Sequence, residues 1–228
     1  MKALDFVSLK HNKITGTIPD SFKALSNLEW LDLQYNQMTG TLPSWLGDTM
    51  DSLRDLSLSD NQFEGPLPQS ISNMKHLNTL AIDDNSLTGD ISSAVNGLES
   101  LKFLYADNNM FDSKIDFNFL TESVDLEEVD LSGNMFTSDG LPLHFFLIDN
   151  LRVLDLHDNA LEGPLFDDVP PQDNLKFLSL YGNSLSGSIP ETIHQLNGLT
   201  HLDLSRNSFT GAPPDSISYL EDLRYLYL

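Results

Sequence analysis

Apolar residues recur along this chain with two nested periods. Over short stretches they alternate, as in Leu31 and Leu33, Leu56 and Leu58, or Leu202 and Leu204. Alternation points one set of side chains to one face and their neighbours to the other, which is the mark of a short strand. The stretches themselves return in the phase L-x-x-L-x-L-x-x-N. Examples are Leu28-Leu31-Leu33-Asn36, Leu77-Leu80-Ile82-Asn85 and Leu151-Leu154-Leu156-Asn159. Nine asparagines hold that phase (Asn12, Asn36, Asn61, Asn85, Asn109, Asn134, Asn159, Asn183 and Asn207), each 24 or 25 residues after the last, and Leu223-Leu226-Leu228 starts a tenth copy. A strand at a fixed spacing predicts stacked coils with a parallel sheet, because no single coil can bury its own leucines. Apolar pairs such as Ile71 with Met74, Ile193 with Leu196, and Ile217 with Leu220 predict a short helical or 3₁₀ return opposite the strand.

Composition narrows the function. Across 228 residues there are 12 Lys and Arg against 34 Asp and Glu, a formal net charge of -22. A nucleic-acid binder needs a surplus of cations, and docking on anionic membrane needs the same, so neither is expected. With no cysteine there is no disulfide framework, thiolate metal site or cysteine nucleophile. No apolar run is long enough to span a membrane, and the first residues do not read as a signal peptide. None of the G-x-S-x-G, H-E-x-x-H, P-loop or kinase signatures occurs, so no enzyme activity and no cofactor are expected.

Beyond the asparagine, the chain reads Ile14-Thr15-Gly16-Thr17-Ile18-Pro19, Met38-Thr39-Gly40-Thr41-Leu42-Pro43 and Leu185-Ser186-Gly187-Ser188-Ile189-Pro190. Together with the repeat phase this resembles the plant-type leucine-rich repeat, and the resemblance covers essentially the whole chain. Members include ectodomains of receptor-like kinases, receptor-like proteins and polygalacturonase inhibitors. The resemblance implies an α/β solenoid: a right-handed superhelix with a parallel sheet on the concave face and 3₁₀ or irregular returns on the convex face. It further implies a second, irregular strand at the G-x-I-P segment. It implies a non-catalytic recognition scaffold, part of a receptor-like ectodomain at the cell surface or outside the cell. The alternatives are an inhibitor of a secreted hydrolase and a structural or adhesive wall protein.

The chain reads as a single repeat domain over 1–228, about nine and a half repeats, without terminal caps. Leu4, Val7 and Leu9 come almost at Met1, and Leu226 and Leu228 end the chain, so a piece of a longer array is expected. No N-x-S/T acceptor is present, a mild point against secretion. The repeats depart from pattern where Ser113 and Ser138 replace the glycine and Ser92, Asp116 and Phe166 replace the proline. Gly140-Leu141-Pro142 arrives one position late, and Asp167-Asp168-Val169-Pro170-Pro171 stands where others begin the return. The flank of repeats four to seven is therefore expected to be the least regular.

Residues between the strand leucines form columns on the concave face. The centre is acidic, with Asp55, Asp60, Asp83, Asp84, Asp107, Glu128, Asp130, Asp155 and Asp158. Aromatics flank it: Phe6, Trp30 and Tyr35 on one side, Phe177, Tyr181, Tyr225 and Tyr227 on the other, with Phe103 and Tyr105 between. Aromatic anchors beside charge are characteristic of protein recognition. The candidate ligand-binding set is Trp30, Asp55, Asp83, Phe103, Tyr105, Asp107, Glu128, Asp130, Asp155, His157, Phe177, Tyr181 and Tyr225. A protein or peptide partner is expected, a basic one being the charge-complementary case, with a glycan left open. Asp60, Asp83, Asp84 and Asp107 also raise Ca²⁺, but the D-x-D-x-D-G loop is absent and solvated carboxylates are the plainer reading. His157, between Asp155 and Asp158, is expected to favour its charged form.

Overall fold

Each strand segment found in the sequence is a strand of one parallel sheet. The computed structural model describes residues 4–115, 120, 122–141, 143–166 and 168–228. Asp116, Pro142 and Asp167 lie outside the described residues. Ten strands pair in chain order: Phe6–Ser8, Trp30–Asp32, Asp55–Ser57, Thr79–Ala81, Phe103–Tyr105, Glu128–Asp130, Val153–Asp155, Phe177–Ser179, His201–Asp203 and Tyr225–Tyr227. The register is unslipped from end to end: Phe6 pairs with Trp30, Trp30 with Asp55, and so on to His201 with Tyr225. One residue of slip would turn every leucine to the solvent, so the pattern admits a single register. The architecture is the solenoid implied by the repeat, with this sheet as its concave face.

The leucines stack into a continuous core. Leu31, Leu56, Leu80, Leu104, Val129, Leu154, Leu178 and Leu202 are all buried, as are the apolar residues two positions on. Behind them the third apolar column carries Phe63, Phe111 and Phe136, and the last two rings stack at 6.0 Å. The returns are 3₁₀ turns at Asp20–Ala24, Gln69–Asn73, Leu143–Leu147, Glu191–Gln195 and Asp215–Tyr219. Pro19, Pro68, Pro190 and Pro214 precede four of them in extended conformation, where the fixed φ of proline suits entry and its missing N–H costs nothing. The second and fourth returns are instead single α-turns, Leu46–Thr49 and Ser92–Val95. Gly47 lies so close to the next return that a Cβ there would fall 1.8 Å from the Ser70 carbonyl oxygen.

Short flank strands at the G-x-I-P segments form two further parallel sheets, one of five strands and one of four. Between them, among the described residues, the pairing narrows to the bridge of Lys114 with Thr137 and the backbone hydrogen bonds around it. The irregularity expected over repeats four to seven is uneven among the described residues: 168–174 of the seventh repeat form no helical return, while the flank strands are interrupted at one place. The flank strands of the fourth and seventh repeats, Ser86–Gly89 and Ala160–Gly163, are regular. The break falls where Ser113 and Ser138 replace glycine, and the Ser138 hydroxyl is buried without a partner. Phe166, in place of a proline, is buried edge-on against Phe146 at 5.3 Å. Leu4, Leu226 and Leu228 are 38%, 40% and 48% exposed.

The repeated asparagine closes each coil onto the one before it. Asn134 shares its amide N–H groups among the carbonyls of Ala106, Leu131 and Ser132 at 3.0–3.1 Å, and its oxygen accepts the Phe111 N–H at 3.0 Å. Asn36, Asn61, Asn85, Asn109 and Asn183 repeat the arrangement. Truncating Asn134 to alanine strips the buried Phe111 N–H of its acceptor, which costs about 1–3 kcal/mol, and takes one donor from each of three carbonyls that keep another partner, at about 1 kcal/mol per lost bond. Asn134→Ala is expected to lower the urea-unfolding free energy by at least about 3 kcal/mol, whereas Asn12→Ala, at an exposed position, changes it far less. Equal effects of the two substitutions would contradict this account.

Candidate functional site

The outward residues of the ten strands come together as continuous columns because each strand repeats its neighbour's register. The first column runs Phe6, Trp30, Asp55, Thr79, Phe103, Glu128, Val153, Phe177, His201 and Tyr225. The second begins Ser8, Asp32, Ser57, Ala81, Tyr105 and continues through Asp130, Asp155, Ser179, Asp203 and Tyr227. Just before each asparagine the backbone turns left-handed: His11, Tyr35, Asp60, Asp84, Asn108, Gly133, Asp158, Gly182 and Arg206 have φ between 48° and 67°. That conformation costs a non-glycine residue about 1–2 kcal/mol, and here it is imposed by the asparagine ladder that follows. It places these side chains beside one another, as where Tyr35 stacks on His11 at 4.2 Å.

The predicted residues fall into three groups. Near the start of the sheet, Trp30, Asp55 and Phe103 border one groove of about 370 Å³ together with Glu29, Arg54, Asn78, Thr79 and Lys102. Asp55 itself is 7% exposed and accepts the Ser57 hydroxyl at 2.7 Å, so its carboxylate is engaged within the fold. In the centre, Asp83, Tyr105 and Asp107 line a depression of about 280 Å³ with Tyr35, Asp60 and a floor of Ser57, Ser59 and Ala81. Tyr105 donates to Glu128 at 2.7 Å, and Asp130 borders Asp107 closely enough to raise its pKa. Further along, Asp155, His157, Phe177 and Tyr181 line a third depression of about 320 Å³. Tyr225 stands apart from these groups, stacked on His201 at 4.2 Å.

The electrostatics of the centre follow from crowding of like charge. Carboxylate oxygens of Asp60, Asp83 and Asp84 lie within 4.8 Å of one another. Burial raises the pKa of Asp83, with the Ser59 hydroxyl working against it; burial and the Asp60 charge raise that of Asp84. Asp107 is pushed up to about 7 by burial, then by the charges of Asp130 and Asp83. Burial also raises Asp155, against the hydrogen bond from His157. Burial opposes the charge on His157, but its 2.7 Å bond to Asp155 and the charges of Asp155, Asp158 and Asp130 outweigh it, and the net shift is upward.

Asp60 and Asp84 are acidic neighbours of the repeat asparagines by sequence; the left-handed turn delivers Asp60 to the central depression with Tyr35 and sets a carboxylate oxygen of Asp84 within 4.8 Å of those of Asp60 and Asp83. Two contacts had no sequence signal: Arg206 lies over the Tyr181 ring at 5.2 Å, and Lys10 over Tyr35 at 5.5 Å. Both depend on which turn residues the stacking makes neighbours.

The leucine rich repeat family model matches residues 2–63 and 173–228, and a second leucine rich repeat model matches 150–171. The chain belongs to the leucine rich repeat family, and its repeats are of the plant type. A TDR receptor structure superposes with a TM-score of 0.91 at 29% identity, over 100% of this chain and 39% of that one. The plant peptide hormone receptor RGFR1, in complex with RGF2, superposes with a TM-score of 0.79 at 28% identity, over 100% of this chain and 40% of that one. A probable inactive serine/threonine-protein kinase of Dictyostelium discoideum is 32% identical over 116 residues, 50% of this chain and 6% of that protein. The chain therefore spans about two fifths of these receptor chains and a small part of the curated relative. Among the described residues no helix is long and apolar enough to cross a membrane.

The raised carboxylates make stability depend on pH with a definite sign. A carboxyl whose pKa is higher folded than unfolded favours the folded state while protonated. For Asp107 that contribution is fully present below about pH 4, the unfolded value, and is lost as pH rises through about 7. The melting temperature is expected to fall from pH 4 to pH 8, and Asp107→Asn to flatten that fall. Differential scanning calorimetry at several pH values checks this, and parallel profiles for the two proteins would refute it.

Proposed function

We propose that this chain is a non-catalytic recognition segment of a receptor-like ectodomain, working outside the cell as one repeat array. Its ligand is a protein or peptide laid across the ten-stranded face. The observation that carries this reading is the face itself. Aromatic side chains (Trp30, Phe103, Phe177, Tyr181 and Tyr225) stand in register beside carboxylates over ten strands, and nothing in the fold's own packing needs the exposed ones. Similarity to receptor structures, one of them a peptide hormone receptor with its partner, supports the same class of function.

Charge names the favoured ligand for the centre of the face. Asp83, Asp107, Glu128, Asp130 and Asp155 set up a negative potential there, unopposed by any Lys or Arg among the residues lining the central depression. Such a field concentrates a basic peptide and speeds its encounter. Trp30, Phe103, Phe177 and Tyr225 supply apolar area for its remaining side chains.

The test is an association-rate series with an octa-lysine peptide carrying one tryptophan. Neutralising Asp83, Asp107, Asp130 and Asp155 together is expected to slow association by about tenfold or more at low salt. Neutralising the exposed flank residues Glu64 and Glu162 is expected to leave it nearly unchanged. Added salt should slow the wild type and bring it towards the four-site variant, since exposed charges are screened over about 8 Å at physiological ionic strength. Rates flat in salt and equal in both proteins would remove electrostatic steering by this face.

A further inference from the structure

The cations of this chain are not spread at random. The residue just before the first column of the sheet runs Asp5, Glu29, Arg54, Asn78, Lys102, Glu127, Arg152, Lys176, Thr200 and Arg224. Backbone bonds stack this column directly. The N–H groups of Lys176 and Phe177 both donate to the Arg152 carbonyl, those of Thr200 and His201 to Lys176, and those of Arg224 and Tyr225 to Thr200. Five of the chain's 12 Lys and Arg therefore lie along one edge of the sheet, where the strands begin.

The two halves of this edge differ. In the first half, opposite charges alternate and meet: Arg54 pairs with Glu29 at 3.1 Å and Lys102 with Glu127 at 3.5 Å. Those contacts show that side chains of the column lie side by side along the edge. From Arg152 onward the column holds no acid. Among the described residues no carboxylate lies at ion-pair distance from Arg152, Lys176 or Arg224. Lys176 only donates to the neutral Asp173 carbonyl at 3.2 Å. Three cations in one column stand without an acid in a chain with 34 Asp and Glu, and Arg152 and Arg224 are exposed, so their charge is open to a partner.

We propose that this edge, over Arg152, Lys176, Thr200 and Arg224, docks an acidic extended peptide segment. A ligand crossing the sheet then meets cations at the strand-entry edge, aromatics beside them and carboxylates in the middle. Beside the edge run Phe177, His201 and Tyr225, the first two rings tilted at 5.7 Å and the last two stacked at 4.2 Å. In the first half the corresponding two columns border a common groove, with Arg54 and Lys102 beside Trp30 and Phe103. The spacing also suits a strand. Arg152 and Arg224 are three strand steps apart, about 14 Å at about 4.8 Å per step. Carboxylates four residues apart on an extended peptide are separated by nearly the same distance, about 13–14 Å. Guanidinium groups hold carboxylates through paired hydrogen bonds, which a lysine cannot reproduce. The proposal rests on the peptide-binding reading of the face but assigns the opposite charge to different residues.

The probe is the acetylated, amidated peptide Glu-Gly-Phe-Gly-Glu, titrated at low salt while the side-chain N–H signals of Arg152 and Arg224 are followed by NMR. Saturable shifts at both arginines are expected, and the Gln-Gly-Phe-Gly-Gln peptide should produce none. The double substitution Arg152→Gln, Arg224→Gln is expected to weaken binding about fivefold or more, as loss of two exposed charge pairs implies. Asp83→Asn with Asp107→Asn should not weaken it. No saturable shift, or equal binding by the glutamine peptide or the double arginine variant, would overturn the proposal. If the lysine probe still binds the central carboxylates in that case, the basic-ligand reading stands while the acidic edge falls. Loss of the lysine probe alone would do the reverse.

Discussion

The stacking of this molecule depends on one asparagine amide repeated once per coil, exposed at Asn12 and most deeply buried at Asn109, Asn134 and Asn183. The asparagine side chain donates to two or more carbonyls of its own turn and one of the preceding coil, and accepts an N–H from that same coil. A buried polar group is tolerable only when its hydrogen-bonding capacity is met. Here that capacity is met only if the neighbouring coil is present at the right height and in the right register. The amide thus converts a sequence period into a stacking distance. Leucine burial then acts on coils already aligned, which is how strands of three residues can build a sheet of ten.

The same constraint shapes the recognition face. The residue preceding each asparagine is forced left-handed, so its side chain joins the outer edge of the columns irrespective of its type. Aspartate, tyrosine, histidine and arginine all occupy it, and their identities decide what the face can hold. Stacking at strand spacing brings like residues within range, so Asp60, Asp83 and Asp84 repel one another while His11 and Tyr35 stack. The face is three parallel bands: a partly cationic entry edge, an aromatic column and an acidic centre. Each band is long because the register never slips.

The flank carries less constraint and shows it. Glycine in the G-x-I-P segment takes positive φ at seven of the repeats, where the second strand turns. Serine at 113 and 138 cannot adopt that conformation as cheaply, and among the described residues the flank pairing between those two repeats narrows to a bridge, while Ser138 still pairs with Leu161 on the far side. The main sheet passes the same point unbroken, since Glu128–Asp130 pairs on both sides. The asparagine ladder is intact there, so disturbance on one side of the coil does not reach the other.

The sequence by itself determined the number of strands, their parallel order, the leucine core and which residues share a column. These follow from two periods, strand alternation and the recurrence of the coil, and both are one-dimensional properties. It also showed the acidic centre, because columns can be counted without coordinates. Only the tertiary structure decided what each column member does. Asp55 and Glu128 share the first column, yet Asp55 is buried and accepts the Ser57 hydroxyl beside it, while the more exposed Glu128 accepts from Tyr105 of the neighbouring coil. That Arg54 pairs with Glu29 while Arg152, four strands further on, meets no acid among the described residues depends on which residues neighbouring coils bring to the same edge. So does the burial of Phe166 against Phe146, where a proline was expected. Periodicity states which residues are adjacent; burial, charge and reach depend on the side chains of three coils at once, and those are settled only when the coils stack.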